Sequence, residues 1–131
     1  MDSFTGTVVI GDGRGQALGF PTANLELHDA SARPEEGVYA GWARLRDHTY
    51  MAAIHAGPIP TYGIEEPTVE VHLLQFPDTD LYGEELEVQI VHKLRDIENF
   101  GSTKDLKEAL GHDVAHVAEK LQPSGPLQTD D

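Results

Sequence analysis

The segment Gly19-Phe20-Pro21-Thr22-Ala23-Asn24 places two oxygen-bearing side chains two residues apart. Pro21 fixes its own φ angle and has no backbone N–H, which favours an extended or turn conformation. In an extended segment Thr22 and Asn24 point the same way. A hydroxyl and an amide oxygen on one side are hard ligands that suit Mg²⁺. The alternative is a turn in which these two side chains bond their own backbone, and on these residues alone the turn is favoured.

A second candidate is Glu70, which lies within the alternating segment Thr68 to Phe76. Glutamate is disfavoured in the middle of a strand. The predicted face of Glu70 also carries Leu74 and Phe76, so this face is not simply solvated. A carboxylate in a partly apolar cleft can act as a general base. The alternative is an exposed glutamate that pairs with a Lys or Arg on a neighbouring strand, and both interpretations stay open at this point.

The segment 11–19 contains glycine at positions 11, 13, 15 and 19 and cannot form regular structure. Its spacing does not fit a P-loop, and no Gly-Lys-Ser/Thr follows. A dinucleotide-binding fingerprint is also excluded, because no helical pattern follows the glycines. On spacing alone a flexible loop is favoured. The sharper hypothesis is a flap whose backbone approaches a ligand closely, with Arg14 offering one positive charge near a phosphate.

Zinc and thiol chemistry receive little support from the sequence. The chain has no Cys, which excludes disulfides and thiolate ligands. Among seven histidines, His112 and His116 have the i, i+4 spacing of a zinc-binding helix, but no third ligand lies at a telling distance. We therefore interpret this pair as surface residues. His55 and His72 are interpreted as packed or hydrogen-bonded rather than catalytic.

Composition indicates one soluble domain. The chain has 131 residues, of which 39% are hydrophobic, and 9 basic against 23 acidic residues give a net charge of −14. This charge argues against nucleic acid or an anionic membrane as a partner. No apolar run approaches the roughly 20 residues of a membrane span. The first residues also lack the features of a signal peptide, so we expect a cytoplasmic protein.

Short β-like segments separated by Gly and Pro dominate the pattern. The sequence predicts strands at 4–10, 21–27, 37–46, 49–55, 68–76 and 84–94, with a tight turn at 47–48 and a loop at 56–67. One helix begins after Ser102 and ends at Gly111, and Asp113 caps a second helix. Because strands do not alternate with helices, we predict a mainly β fold, a closed or nearly closed antiparallel barrel with C-terminal helix or helices at 1–121. We expect residues 122–131 to form a polar, disordered tail.

Together these pieces resemble the riboflavin kinases of bacteria and eukaryotes, and the resemblance covers roughly residues 6–113. The run Gly19-Phe20-Pro21-Thr22-Ala23-Asn24 is its most specific part. The other matching pieces, in chain order, are Gly6-Thr7-Val8-Val9, Gly11-Asp12-Gly13-Arg14-Gly15, Gly37-Val38-Tyr39-Ala40, Gly57-x-x-Pro60-Thr61-Tyr62, Val69-Glu70-Val71-His72, Asp80-Leu81-Tyr82-Gly83, Lys93-Leu94-Arg95-Asp96, Phe100 and Leu106.

The resemblance implies a six-stranded Greek-key barrel and transfer of the ATP γ-phosphoryl group to the ribityl 5′-hydroxyl of riboflavin, which gives FMN. It implies that Glu70 takes the hydroxyl proton and that Thr22 and Asn24 hold Mg²⁺. It also implies a flavin site and a nucleotide site in a monomer. The implied flavin-binding residues are Arg95, Phe100 and Leu106. The implied nucleotide-binding residues are Gly11, Gly13, Arg14, Gly15, Gly19, Pro21 and Thr22.

Two features of the sequence depart from the family pattern. His55-Ala56-Gly57 stands where the family usually has Asn or Ser, then Ile, before the glycine. The chain also begins at the kinase-like region, so we expect a stand-alone kinase or an excised fragment that does not make FAD.

One alternative function is a non-catalytic flavin-binding module, which would need neither a base nor a metal site. The other is a small β-barrel interaction domain without a ligand.

Overall fold

The computed structural model describes residues 3–10, 19–77 and 80–121. It contains six strands and one long helix. The strands are β1 (Ser3–Val9), β2 (Ala23–Leu27), β3 (Gly37–Leu45), β4 (His48–Ile59), β5 (Ile64–Leu73) and β6 (Glu85–Arg95), and the helix is α1 (Thr103–Leu121). Short 3₁₀ turns at Ala30–Ala32 and Pro60–Tyr62 connect β2 to β3 and β4 to β5.

The six strands close into a barrel in the order β1-β2-β5-β4-β3-β6, and all neighbouring strands are antiparallel. Strands β3, β4 and β5 are consecutive neighbours, and β2 lies beside β5, which is a Greek-key arrangement. Closure leaves no free sheet edge. The prediction of a mainly β protein with a six-stranded antiparallel barrel is therefore confirmed.

The inside of the barrel follows the two-residue period of its strands. On β5, Val69, Val71 and Leu73 are buried in the barrel core, as their alternation predicts. Ile54 and Leu86 are fully buried in the same cluster. The intervening residues of β5 therefore point to the outside of the barrel, where the candidate site lies.

A second apolar layer lies between the outside of the barrel and α1. Val117 and Leu121 of α1 pack with Ala40 of β3 and with Leu74, which follows β5. Trp42 and other half-buried residues of the strands complete this layer. Because the layer involves mainly the second half of α1, the first half is left to form one wall of a cleft.

The C-terminal region forms one helix, as the prediction of a helix or helices allows, but the predicted helix end at Gly111 and the predicted cap at Asp113 are wrong. Gly111 lies inside α1 rather than at its end, and Asp113 is a buried helix residue rather than a cap. Glycine in a helix interior costs only about 1 kcal/mol relative to alanine. Burial of Val117 and Leu121 against the barrel outweighs that cost. The predicted start is confirmed, since the Asp105 backbone N–H donates to the Ser102 hydroxyl at 3.1 Å.

The predicted loop at 56–67 is also wrong. Strand β4 continues to Ile59, and β5 begins at Ile64. Pro60 begins the intervening 3₁₀ turn, whereas Pro58 and Pro67 lie where the pairing of β4 with β5 shifts register, and a missing backbone donor is tolerated at such a bulge. Gly63 ends that turn with φ +70°.

The tight turn of the hairpin between β3 and β4 centres on residues 46–47, one residue earlier than predicted, with Arg46 at φ 55°.

Two side chains leave the face that simple alternation predicts for them. Leu94 packs in the outer layer instead of joining Ile90 in the barrel core, because the pairing of β3 with β6 shifts register twice. A Cβ at Gly41, beside one of these shifts, would lie 2.1 Å from the Gln89 carbonyl oxygen, so the two strands approach closely there. Phe76 contacts the core cluster, because β5 ends at Leu73.

Two sets of predictions fall outside the described residues: the glycine segment up to residue 18 and the tail 122–131. Within the part of the chain that the structure describes, no helix is long and apolar enough to cross a membrane.

Candidate functional site

Glu70 lies on the outer face of the barrel between two polar neighbours. In the strand register it is opposite Asn24 of β2 and opposite His55 of β4. Directly opposite residues of antiparallel strands share a face, with Cβ atoms about 5 Å apart. The β-ladder therefore places a carboxylate, an amide and an imidazole side by side.

Two threonine hydroxyls hold the Glu70 carboxylate. Thr22 donates to one oxygen at 3.1 Å, and Thr68 donates to the other at 3.2 Å. Each carboxylate oxygen keeps further acceptor capacity. Among the described residues no Lys or Arg forms an ion pair with Glu70, so the interpretation as a paired surface glutamate is not supported. Sequence reasoning missed Thr68, although its i−2 position on β5 was the available signal.

The Phe20-Pro21-Thr22 segment is anchored to β5 by His72. The His72 Nδ1–H donates to the Pro21 carbonyl oxygen at 2.7 Å, and the Phe20 ring contacts the imidazole edge-on at 5.8 Å between centroids. The carbonyl can only accept, so Nδ1 carries the hydrogen. Gly19, with φ +88°, turns the chain into this segment in a conformation that favours glycine. This anchoring brings Thr22 to Glu70.

His55 is also hydrogen-bonded, as its interpretation predicts. Its Nε2 lies 3.1 Å from the carbonyl oxygens of both Gly57 and Pro58, so a single N–H serves both acceptors. The Gly57 carbonyl also accepts from Thr68 at 3.4 Å. His55 and Thr68, the two neighbours of Glu70, are thereby both bonded to the end of β4, next to the turn that leads to β5.

These groups line one side of an open cleft between the barrel, α1 and residues 97–100. The cleft encloses about 890 Å³, including the solvent at its mouth. Thr22, Glu70 and His72 form its polar side. The remaining wall is largely apolar, and its members include Ile59, Ile97, Phe100, Leu106, Leu110 and Val114. The cleft thus has a polar end that can take a proton and an apolar end that can hold a flat ring.

The predicted residues Arg95, Phe100 and Leu106 all line the apolar end. The Arg95 guanidinium donates to both oxygens of Asp113, Nε at 2.9 Å and an Nη at 2.8 Å, and lies 5.3 Å from the centroid of the Phe100 ring. The Phe100 N–H donates to the Thr61 hydroxyl at 2.9 Å. The structure therefore joins the loop after β6 to α1 and to the turn after β4.

Asp113 is the residue that sequence reasoning assigned wrongly. Leu106, Leu110, Asp113 and Val117 recur at spacings of three and four residues on one helix face. An acidic residue in such an apolar stripe was a signal for a buried partner. The prediction of a second helix obscured that signal.

A nearby ion pair joins Lys93 and Asp96, which flank Arg95 in the chain and whose side chains are 2.7 Å apart. The hydrogen bond from Lys93 lowers the pKa of the Asp96 carboxyl below its ordinary value. The same hydrogen bond raises the pKa of Lys93. Both groups are therefore charged at neutral pH and occupied with each other.

The chemistry of the polar end fits a hard cation. Thr22 uses its hydroxyl hydrogen on Glu70, which leaves its oxygen lone pairs for a ligand. Asn24 lies on the same sheet face as Glu70. Two neutral oxygens suit Mg²⁺ that is shared with phosphates and water. The described residues contain no group of three His, Cys, Asp or Glu that could form a metal cage, and the zinc alternative at His112 and His116 gains no support.

The structure thus brings together Thr22, Asn24 and Glu70 at one end and Arg95, Phe100 and Leu106 at the other. Gly19 and Pro21 lie beside the first group. Gly11, Gly13, Arg14 and Gly15 lie outside the described residues. The roles of all these residues stay predictions.

Comparison with known proteins shows consistent similarities. The Flavokinase family profile, described as riboflavin kinase, matches residues 2–121. Human riboflavin kinase is 34% identical over 122 residues, which are 89% of this chain and 79% of that protein. Three other curated relatives from Bacillus subtilis and Haemophilus influenzae have riboflavin kinase in their names, and this chain spans 54%, 35% and 35% of their lengths.

The solved structures that are similar to this chain include the following two. The crystal structure of a macrolide-efflux protein from Streptococcus pneumoniae has a TM-score of 0.76 and 34% identity, over 88% of this chain and 38% of that chain. The riboflavin kinase of Trypanosoma brucei has a TM-score of 0.69 over 93% of this chain and 80% of that chain. At 24% identity, this second structure supports the fold alone.

Proposed function

This chain belongs to the riboflavin kinase family, and we propose that it transfers the γ-phosphoryl group of ATP to the ribityl 5′-hydroxyl of riboflavin, giving FMN and ADP. The observation that carries the proposal is the Glu70 carboxylate, held by Thr22 and Thr68 beside an apolar cleft. A non-catalytic flavin-binding module is not favoured, because a pure binder has no use for an oriented base.

The apolar end of the cleft suits the flat ring system of riboflavin. Phe100 and Leu106 lie there, and aromatic and branched side chains stabilise flat rings by dispersion and burial. With the ring at this end, the ribityl chain extends toward Glu70. This orientation brings the 5′-hydroxyl to the carboxylate.

In the proposed step, the 5′-oxygen forms a bond to the γ-phosphorus. The bond from that phosphorus to the β–γ bridging oxygen breaks, and ADP leaves. The hydroxyl proton moves to Glu70, which later releases it to solvent. Phosphoryl transfer depends mainly on positioning and charge neutralisation, so Glu70 needs chiefly to orient the hydroxyl and accept its proton.

We further propose that Thr22 and Asn24 hold Mg²⁺ together with the nucleotide phosphates. Bound Mg²⁺ supplies positive charge at the phosphate oxygens, which a chain of net charge −14 otherwise lacks. Thr22 also orients Glu70, so it connects the phosphate side to the acceptor side. Gly11, Gly13, Arg14 and Gly15, with Gly19 and Pro21, are proposed to cover the nucleotide. ATP as donor, the cytoplasmic location and the monomeric state stay predictions.

The test is a product assay on the purified chain with riboflavin, ATP and Mg²⁺, followed by chromatographic separation of the flavins. We expect FMN to form, and we expect a chelator to stop its formation and excess Mg²⁺ to restore it. A folded protein that binds riboflavin but never forms FMN would contradict the proposed function. FMN formation that persists in excess chelator would contradict the metal assignment alone.

A further inference from the structure

Asp113 is the one buried charged residue among the described residues, with 3% of its surface exposed. It lies in the middle of α1, in an apolar stripe that faces the cleft and the barrel. Burial of an unpaired carboxylate is strongly unfavourable, so such a residue needs a matched partner. The phosphoryl-transfer step described above uses no group at this end of the cleft.

The partner is Arg95, the last residue of β6. Two of its guanidinium nitrogens donate to the two oxygens of Asp113, and a third donates to the Asp96 carbonyl oxygen at 3.1 Å. The Asp96 carboxylate is itself held by Lys93. Asp113 is therefore the carboxylate that fixes the orientation of Arg95. Because the guanidinium is planar and bonds Asp113 through two nitrogens, the Arg95 side chain has little freedom to rotate.

This pair determines where the adjacent aromatic ring lies. The fixed guanidinium is 5.3 Å from the centroid of the Phe100 ring. The backbone N–H of Phe100 is bonded to Thr61. The segment from Arg95 to Phe100 is thus held at three points: on α1, on the turn after β4 and at the end of β6. Arg95, Phe100 and Asp113 all line the cleft.

The pair also sets the charge of this wall. A free arginine in a cleft attracts phosphate. Here the Asp113 carboxylate neutralises Arg95 and occupies two of its guanidinium nitrogens, so Arg95 presents a flat face instead of a free positive charge. Such a surface suits an uncharged ring rather than an anionic group.

We propose that Asp113 is a positioning residue for the acceptor substrate: by fixing Arg95, it shapes the Arg95–Phe100 wall for a flat, uncharged heteroaromatic ring. The inference rests on the proposed function, since the acceptor there is riboflavin. It assigns Asp113 to acceptor binding and gives it no part in the phosphoryl-transfer step.

The first experiment compares the wild type with Asp113→Asn, which keeps the shape and one acceptor oxygen but removes the charge. We expect the KM for riboflavin to rise about tenfold, as after loss of one charge-assisted hydrogen bond, with kcat and the KM for ATP changed less than about twofold. Arg95→Lys keeps a charge but loses the fork, and we expect a similar rise. An unchanged KM for riboflavin in both variants would overturn the proposal.

The second experiment separates positioning from stability. Asp113→Leu leaves Arg95 unpaired and is expected to lower Tm, whereas the double variant R95M/D113L replaces the pair with apolar side chains and is expected to recover most of that Tm. In the double variant we expect the KM for riboflavin to stay about tenfold above wild type, because neither the fork nor its ring contact is present. Recovery of both Tm and KM would show a merely structural pair and would overturn the proposal.

The matched control is R44M/E87L, which removes an ion pair between β3 and β6 that is outside the cleft and exposed. It is expected to leave the KM for riboflavin within about twofold of wild type, as exposed pairs contribute little. An equal rise in KM in this control would overturn the proposal, because the effect would then be general. A wild type without FMN formation contradicts the proposed function, whereas wild-type turnover with an unaltered KM in the variants contradicts only the role of Asp113.

Discussion

The two ends of the cleft are built in different ways. At the polar end, Asn24, His55 and Glu70 are neighbours in one continuous β-ladder. At the apolar end, Phe100 lies in an irregular segment that is attached to α1 through the Arg95–Asp113 ion pair. A ladder holds its side chains by many backbone hydrogen bonds, whereas the irregular segment depends on a few side-chain contacts.

This difference matches how precisely each end of the cleft must place its groups. Proton acceptance and phosphoryl transfer require reacting groups within a few tenths of an ångström of their productive positions, which regular elements provide. A ring contact tolerates small shifts, because dispersion is spread over many atoms. We therefore expect changes at the polar end to lower kcat and changes at the apolar end to raise the KM for riboflavin.

The largest effect is expected from Glu70→Gln. The amide keeps the shape of the side chain but cannot take the hydroxyl proton, so kcat should fall by about 10²- to 10⁴-fold. Riboflavin affinity, measured by flavin fluorescence, should stay within about twofold, because the amide changes no contact at the apolar end. Glu66→Gln, an exposed change on the same strand, is the control and should be neutral. Loss of riboflavin binding together with turnover would point to a structural Glu70.

The next effect concerns the two threonines that hold Glu70. Thr22→Val removes the hydrogen bond to Glu70 and the proposed phosphate-side ligand, so kcat/KM should fall about 100-fold. Thr68→Val removes the hydrogen bond to Glu70 and the longer one to the Gly57 carbonyl but leaves the proposed ligands intact, so the fall should be about tenfold. Steady-state kinetics at saturating Mg²⁺ measures kcat/KM for the two variants and the wild type. Equal losses would contradict the double role of Thr22.

A smaller effect is expected from Phe100→Leu at the apolar end. The change removes the ring beside Arg95 but keeps an apolar side chain, so the KM for riboflavin should rise about three- to tenfold with kcat nearly unchanged. Phe76→Leu is the matched control, since Phe76 contacts Tyr50 at the barrel core instead of the cleft. A fall in kcat without a change in KM would show that the two ends are not separable in this way.

The smallest effect is expected from Gly111→Ala in α1. A Cβ at this position would lie 3.9 Å from the Phe20 ring, which is an ordinary contact. Alanine favours the helix over glycine, so the free energy of unfolding should increase by up to about 1 kcal/mol. Denaturant unfolding measures it, and kinetic constants should stay within about twofold. A loss of stability would mean that Phe20 needs the open space next to Gly111.

Much of the polar end could be predicted from the sequence, because its residues are arranged by short-range rules. Alternation along β5 separates Val69 and Val71 from Glu70, and the structure has this separation. The pairing of Thr22 with Glu70 could not follow from such rules. These residues are 48 positions apart, and only the β2–β5 pairing and the His72 contact bring them together.

The C-terminal region shows where short-range rules mislead. Helices commonly end at a glycine and begin after an aspartate, so Gly111 and Asp113 together suggest a break and a second helix. The structure contains one helix, since packing on the barrel outweighs the cost of one glycine. Leu94 shows the same limit, because its alternation fails where β6 shifts register against β3.

By itself, the sequence determined that there are six strands, most of the inward faces of the barrel, and Thr22, Asn24 and Glu70 as candidate oxygen donors and base. Steric preferences and the two-residue period act over neighbouring residues, so they can be read along the chain. Only the tertiary structure decided the continuity of α1, the anchoring of Thr22 and the burial of Asp113 against Arg95. Those features depend on free energies of burial and pairing between distant segments, and these exist only once the barrel has closed.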